Sequence, residues 1–223
     1  MRVEILKSES DATAKFELFQ RLNTGGAGLT EQEVRNSIAV SINAAFYNWL
    51  IGLSDDQAFK RTTAQTDAAI ESQTGVELAL RFLSFRSIPY RTGLDVHEYL
   101  DRALMQMATN PHYDMAVEGD VFGRTFQYMD EALGDRAFKR WNGHAFSGKF
   151  LMSVFEVLAT GVSHNVVALS AMLPADRKAF IVQSAQGLWN NNVFTSNSGA
   201  GVRGTTRLAN LLPLAAQLLN PNP

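Results

Sequence analysis

The stretch GKFLMSVFEVLATGV, residues 148–162, carries the strongest indication of the fold. It is apolar along most of its length, and its large side chains recur at helical spacing: Phe150, Leu151, Val154, Phe155 and Leu158. That spacing places them on one side of an α-helix. Because polar residues are few here, we predict a helix at the centre of the core.

The same spacing continues in both directions from this helix. Patterns typical of helices cover the following ranges: 11–22, 29–53, 67–87, 94–107, 117–133, 174–189 and 205–219. Pro174 stands at the start of a segment, where a helix accepts proline, and Pro213 should bend or split the last segment. Thr30 and Glu33 have the spacing of a capping box, in which each side chain satisfies a free backbone donor.

Only one short segment, Val3–Ser8, has the clear character of a β-strand. A lone strand leaves its backbone donors and acceptors unpaired, so it needs a partner that later segments do not supply. We therefore predict a mainly α fold, namely a multi-helix bundle preceded by a short α/β piece made of one strand and one helix.

Composition narrows the class of protein. The 223 residues are 46% hydrophobic, which supports a large core, and 20 Lys and Arg stand against 22 Asp and Glu. Because the net charge is so small, any binding of nucleic acid must use a local patch. The chain has no cysteine, no apolar signal segment at its start and no apolar run of the roughly twenty residues that a membrane span needs. We expect a cytoplasmic protein without membrane contact.

Two glycine-rich turns are candidates for phosphate binding. The first is Asn23-Thr24-Gly25-Gly26, where glycines permit close backbone approach and the next helix could offer free N–H groups to an anion. The second lies within residues 194–207 and offers amides, hydroxyls and arginines to phosphate oxygens: Ser198, Gly199, Gly201, Arg203 and Arg207. From spacing alone, a capped helix-to-helix turn and a surface loop are the simpler interpretations.

The other chemistry-bearing residues form no familiar catalytic pattern. The four histidines are scattered without the spacing of a metal site, so we predict neither metal ligands nor catalytic residues. Arg91 and His97 lie six positions apart, about the spacing that helical nucleases of the HEPN class use. An RNase of that class is therefore a weaker alternative.

A composite motif at the front of the chain is more specific than its parts. Residues 3–37, VEILKSESDATAKFELFQRLNTGGAGLTEQEVRNS, resemble the second half of the GmrSD N-terminal domain family, a group of ParB/sulfiredoxin-like proteins. The matching positions are Phe19, Arg21, Asn23 to Gly26, Leu29, Glu33, Arg35 and Asn36. Because residues 148–159 and 194–203 are also similar to later family motifs, the resemblance covers most of the chain.

The resemblance implies a place in systems that restrict foreign DNA, in which the complete family member binds a nucleoside triphosphate with Mg²⁺. It further implies that Asn23–Gly26 line the nucleotide site and that Arg35 and Asn36 secure the loop or the ligand. The family's other phosphate-binding signature, Asp-Gly-Gln-Gln-Arg, and the downstream HNH-type nuclease domain are absent from this sequence. We therefore expect residues 1–36 to be a remnant of the ParB-like nucleotide domain, residues 37–223 to be a helical domain, and no nucleotide to bind tightly here.

These expectations leave two functions open. In the first, the chain is a partial or split defence protein, not catalytic alone. It would pair its Val3–Leu6 strand edge with a second copy or with a separate chain that carries Asp-Gly-Gln-Gln-Arg. In the second, it is half of an NTP-dependent DNA-restriction enzyme that is active only with that chain. Both allow DNA as a ligand of the second glycine-rich loop.

Overall fold

A computed structural model describes residues 31–64, 66 and 73–221. Within these ranges the chain is mainly helical, which confirms the predicted fold class. The α-helices are α1 Glu31–Ile42, α2 Ala44–Ser54, α3 Gln57–Thr63, α4 Thr74–Ser87, α5 Val96–Thr109, α6 Met115–Leu133, α7 Met152–His164, α8 Val166–Ala171, α9 Pro174–Gly187, α10 Asn192–Asn197 and α11 Gly204–Leu218. None of these helices is long and apolar enough to cross a membrane. The predicted strand Val3–Ser8, the helix over 11–22 and the Thr30 cap lie outside the described residues.

Helix α7 lies in the core, as its sequence predicts. Every residue from Ser153 to Ser163 is buried, and α4, α6 and α11 pack around the helix. Helix α11 comes close at Gly161, where a Cβ atom would lie only 2.5 Å from the backbone oxygen of Ala215. The two backbones are thus too close for any larger residue at this position.

Phenylalanine rings join α3, α4 and α6. Between ring centroids, Phe59 lies 4.7 Å from Phe126 and 5.1 Å from Phe122, and Phe82 lies 5.2 Å from Phe122. All four side chains are fully buried. At such separations each aromatic pair adds about 0.5–1.5 kcal/mol to the gain from burial, so this cluster holds the three helices together.

The helix predicted over 29–53 is two helices in the described part of this range. Asn43 has an extended backbone between α1 and α2, and its side-chain oxygen accepts a hydrogen bond from the Phe46 N–H at 3.0 Å. Its Nδ2 donates to the Ala108 carbonyl oxygen of α5 at 2.9 Å. The apolar spacing continues on both sides of this cap, which is why periodicity alone does not reveal the break.

A small antiparallel hairpin lies between α6 and α7, in a range for which the sequence predicts no strand. Its strands are β1 Arg140–Trp141 and β2 Phe146–Ser147, paired Arg140 to Ser147 and Trp141 to Phe146. At the tip, the Asn142 side-chain oxygen accepts hydrogen bonds from two backbone N–H groups at 3.0 and 2.9 Å. Gly143 follows with a φ of +95°, which glycine adopts without strain.

The C-terminal part contains one helix that the sequence did not predict, and its last helix is not split. The polar stretch after Asn190 contains α10, whose first turn is capped by the Asn191 side chain accepting from the Phe194 N–H at 3.1 Å. Helix α11 runs through Pro213 without being split, although proline removes one backbone donor. Helix α9 begins at Pro174, as predicted.

Candidate nucleic-acid interface

The second glycine-rich loop leads into an arginine that the structure places against the core. Nε and Nη2 of Arg207 donate to the two carboxylate oxygens of Glu156 at 2.7 and 2.9 Å, which joins α11 to α7. Glu156 is 0% exposed, and Nη1 of Arg81 on α4 lies 4.0 Å from its Oε1. Arg81 also donates twice to Glu77, one turn earlier on the same helix. The Arg207 guanidinium is thus engaged inside the protein, and its contact with phosphate stays a prediction.

Glu156 is an acid inside the core, and its pKa is raised above the ordinary value for a carboxyl group. Burial raises the pKa of its carboxyl group, whereas the hydrogen bonds and charge of Arg207 and the charge of Arg81 lower it. A buried carboxylate is tolerated only while such partners remain in place. The three side chains therefore act together as a structural link between α4, α7 and α11.

A cleft of about 770 Å³ lies between the hairpin and the loop that follows α10. Ser198 and Gly199 of the predicted loop line it, together with side chains from the hairpin region and from the turn before α10. Gly201 and Arg203 lie further along the loop and do not line the cleft. Arg203 is exposed immediately before α11, and Gly201 turns the chain with a φ of +89°.

Two cations enter the cleft from the hairpin side. Arg140 lies in β1, and Lys149 follows β2 after Gly148, whose φ is +91°. Both side chains are exposed, and neither forms a salt bridge within the described part of the chain, whereas the neighbouring Lys139 pairs with Asp135 at 2.9 Å. No Asp or Glu from the described ranges lines the cleft, so its charged lining residues are both cations.

Two tryptophans form part of the cleft wall. Trp141 packs against Phe146 with ring centroids 4.9 Å apart, and Trp189 packs edge-on against Phe194 at 5.3 Å. The Arg140 guanidinium carbon lies 5.4 Å from the centre of the Trp189 ring, within the range of a cation–π contact. Both tryptophan residues are half-buried, so each packs against the protein and is partly accessible to solvent.

The far end of the glycine-rich loop is anchored on the segment before α5. Tyr90 Oη donates to the Leu94 carbonyl oxygen at 2.6 Å and lies 3.5 Å from that of Thr205. A Cβ atom at Gly204 would lie 2.6 Å from Cγ2 of Val96, which shows how closely the loop end packs there. The loop is thus held at one end by this contact and at the other by α10.

Arg35 and Asn36, which the family resemblance implicates in the nucleotide site, lie in a buried polar network. Arg35 is 1% exposed and donates to Asp101 at 2.6 Å and to Gln32 at 2.7 Å. Gln32 donates to Asn36 at 2.8 Å, and Asn36 donates to Gln73. The network ties α1 to α5, and α1 continues without a break across the predicted domain boundary after residue 36. Roles for Arg35 and Asn36 at a nucleotide stay predictions, as does the division into domains at that residue.

The side chains of Arg91 and His97 lie in two different environments. Arg91 is exposed and lines a second hollow, of about 450 Å³, together with Arg102. His97 does not line that hollow, and its Nδ1 accepts from Nη2 of Arg35 at 3.0 Å. A nuclease role for Arg91 and His97 stays a prediction.

The remaining predicted site, Asn23, Thr24, Gly25 and Gly26, lies outside the described residues. In the ranges that the structure covers, we find no group of three or more His, Asp or Glu side chains that could hold a metal ion. The Mg²⁺ that the resemblance implies for complete family members therefore has no described ligand set.

Comparisons with known proteins do not identify a family for this chain. Models of protein families, curated proteins and solved structures all gave no match. What the chain can do must therefore be argued from its own geometry.

The main residues of the cleft were not among the predicted site residues. Arg140, Trp141 and Lys149 lie in the run RWNGHAFSGK, residues 140–149. No element is predicted for its first eight residues, and its last two begin the stretch predicted as a helix. An Asn-Gly pair between short apolar stretches is a strong signal for a hairpin, and it was the available clue. Basic residues interleaved with an aromatic were the clue to function. Trp189 had no such local signal, since it reaches the cleft only through the packing of α9.

Proposed function

We propose that this chain binds nucleic acid through the cleft, as the helical part of a DNA-restriction protein in an anti-phage defence system. The observation that carries the proposal is the pair Arg140 and Lys149, which share one cleft with Ser198 and Gly199 and form no salt bridge with a described residue. Unpaired cations, hydroxyls and accessible backbone amides are the groups that proteins use to hold phosphates.

The charge distribution supports a local interface rather than a general attraction. The chain as a whole has a formal charge of −2, so it has no overall affinity for a polyanion. Some cations elsewhere on the surface pair with neighbours, as in Arg102–Glu98 and Lys60–Asp55, whereas others, such as Lys178 and Arg203, are exposed outside the cleft. Arg140 and Lys149 differ because their charges point into a cleft that no described carboxylate lines.

The experiment is a titration of fluorescently labelled DNA at several salt concentrations, with fluorescence anisotropy as the readout. Because each phosphate contact releases bound counterions, the slope of log affinity against log salt should fall by about one in Arg140→Ala and again in Lys149→Ala. Lys178→Ala is the matched control, since this exposed lysine of α9 does not line the cleft. Equal effects in all three variants, or no DNA binding by the parent protein, would refute the proposal.

The second part of the proposal concerns catalysis. Following the family resemblance, we propose that the chain is not catalytic alone and works with a second copy or with a chain that carries Asp-Gly-Gln-Gln-Arg. Phosphoryl transfer needs several fixed donors and usually a metal acting together, and half a site does not provide them. Release of phosphate from ATP and GTP should be measured for the chain alone and after mixing with such a partner. Hydrolysis by the purified chain alone would contradict this part and leave the DNA-binding part untouched.

A further inference from the structure

The cleft contains more than a phosphate site requires. Phosphate binding explains Arg140 and Lys149, but it gives no reason for indole rings in the wall. We infer that the cleft takes an unpaired base of a single-stranded nucleic acid, stacked on Trp141 or Trp189, with the adjoining phosphates held by the two cations. This inference rests on the proposed function and specifies its ligand.

The rings are positioned as stacking platforms. Phe146 supports Trp141 at 4.9 Å, and Phe194 supports Trp189 at 5.3 Å with the ring planes at 86°. A neighbouring ring that holds an indole in place before a ligand arrives lowers the entropy cost of binding. Proteins that bind single strands combine such aromatic surfaces with a positively charged groove, and every base offers a π-face to them.

The cations are placed to hold the phosphates that flank a stacked base. The Arg140 guanidinium carbon lies 5.4 Å from the centre of the Trp189 ring, and Arg140 and Trp141 both line the cleft. Lys149 is exposed on the same cleft wall. A nucleotide stacked on either ring would therefore have a cation beside its sugar-phosphate chain.

The shape of the cleft favours an unpaired strand over a duplex. A duplex is read by a protruding helix or ribbon that enters a groove about 12 Å wide, and its bases have no free face. This site is instead concave, and its volume of about 770 Å³ lies within the usual range of small-ligand sites. Such a cleft can admit a base that has left the stack, whereas a duplex would meet only its rim.

Polar groups on the glycine-rich side could contact the base edge. Ser198 and Thr195, which carry hydroxyls, line the cleft together with Gly199. The Thr195 hydroxyl donates to the Asn191 carbonyl oxygen at 3.1 Å, so its own oxygen remains an acceptor. Stacking accepts every base, and two hydroxyls give little discrimination between bases, so we expect weak sequence preference.

The test compares three probes on the full chain: a twelve-residue deoxythymidine strand, a duplex of equal length and thymidine monophosphate. Binding is followed by anisotropy of the labelled DNA and by quenching of tryptophan fluorescence, which a stacked base produces. We expect the strand to bind more tightly than the duplex and to quench the parent protein. Trp141→Leu and Trp189→Leu together should weaken strand binding by about ten- to a hundredfold, in line with one or two lost stacking contacts.

Two further variants keep the outcome interpretable. Trp141→Phe retains an aromatic face and should recover most of the affinity that Trp141→Leu loses, and circular dichroism checks that each variant is folded. Trp49→Phe is the matched control because Trp49 packs against Phe46 and Tyr113 away from the cleft. The quenching signal should survive in this control.

The possible results separate the inference from the function on which it rests. Equal or tighter binding of the duplex, or unchanged strand affinity in the double Trp→Leu variant, would overturn the inference while salt-dependent DNA binding still stood. Saturation by the mononucleotide at the same concentration as the strand would also overturn it, because the cleft would then be a site for free nucleotides. Absence of binding to both DNA probes would refute the proposed function itself.

Discussion

Arg207 and Glu156 form a bidentate ion pair in which the carboxylate is 0% exposed and the guanidinium is 20% exposed. The pair lies between α11 and α7, and Arg81 approaches the same carboxylate from α4. Three helices that are far apart in the chain therefore meet at one charged group. The energetic consequence is specific, because a buried charge that loses its partner is far more costly than a pair that was never formed.

Removal of Arg207 should destabilise the fold strongly. In Arg207→Ala the Glu156 carboxylate keeps only Arg81 nearby, so we expect the free energy of unfolding to fall by about 3–5 kcal/mol. Urea denaturation followed by circular dichroism measures this. Arg203→Ala is the control, since Arg203 is exposed and should change stability by less than about 0.5 kcal/mol.

The double variant Arg207→Met with Glu156→Met tests the explanation itself. Apolar replacements of similar volume often match or exceed the stability of a buried ion pair, so the double variant should be markedly more stable than Arg207→Ala. A small effect of Arg207→Ala would contradict the structural role and would leave the arginine available to phosphate.

The close contact of α7 with α11 predicts opposite effects at two helical glycines. In Gly161→Ala the new methyl group would lie 2.5 Å from the Ala215 oxygen and close to Leu219, so the helices must separate. We expect a loss of about 1–3 kcal/mol in the free energy of unfolding. Gly123→Ala in α6 meets nothing within 4 Å and should stabilise the protein by about 0.5–1 kcal/mol. Thermal denaturation of both variants tests this. A change of melting temperature in the same direction for both variants would contradict the packing argument.

His164 predicts a dependence of stability on pH. Although His164 lies exposed at the end of α7, partial desolvation and the charge of Arg86 lower its pKa from 6.5, and the charge of Glu118 raises it. The unfolded chain then binds a proton more readily than the folded one, so the contribution of His164 is present above about pH 6.5 and is lost as the pH falls through the lowered value. His164→Asn should therefore show a smaller drop in melting temperature between pH 7.5 and pH 5.5 than the parent protein.

The control for this titration is His112→Asn, in an exposed turn before α6. It should retain the parent drop in melting temperature. An identical drop in the parent and in His164→Asn would show that other groups account for the acid sensitivity.

The sequence predicted the helical elements better than the cleft. Helices depend on residues that are close in the sequence, whereas the cleft depends on residues that are far apart in it. The stripe from Phe150 to Leu158 is local, and it identified α7, although the helix begins only at Met152 because the chain before it turns at Gly148. The cap at Asn43 is also local, but its effect is hidden by an apolar spacing that continues on both sides.

The cleft and the ion pair depend on contacts between distant segments. Arg207 was expected at the surface because its loop is polar, and its partner Glu156 stands 51 positions away in an apolar helix. Trp189 meets Arg140 only through the packing of α9 against the rest of the fold. The strands of the hairpin have two residues each, which is too short for the alternation by which strands are recognised.

The last prediction separates a structural from a ligand-binding role for Arg35. Its Nε lies 2.6 Å from Asp101 in a site where the arginine is 1% exposed, so the two side chains should be energetically coupled. In a double-mutant cycle of Arg35→Ala and Asp101→Ala, we expect a coupling of about 1–3 kcal/mol in the free energy of unfolding. Lys178→Ala with Asp101→Ala should instead be additive within about 0.5 kcal/mol, because Lys178 does not contact Asp101. Additivity of the first pair would show that Arg35 does not stabilise the junction of α1 and α5 through Asp101. The ligand-binding role that the family resemblance implies for Arg35 would then be favoured.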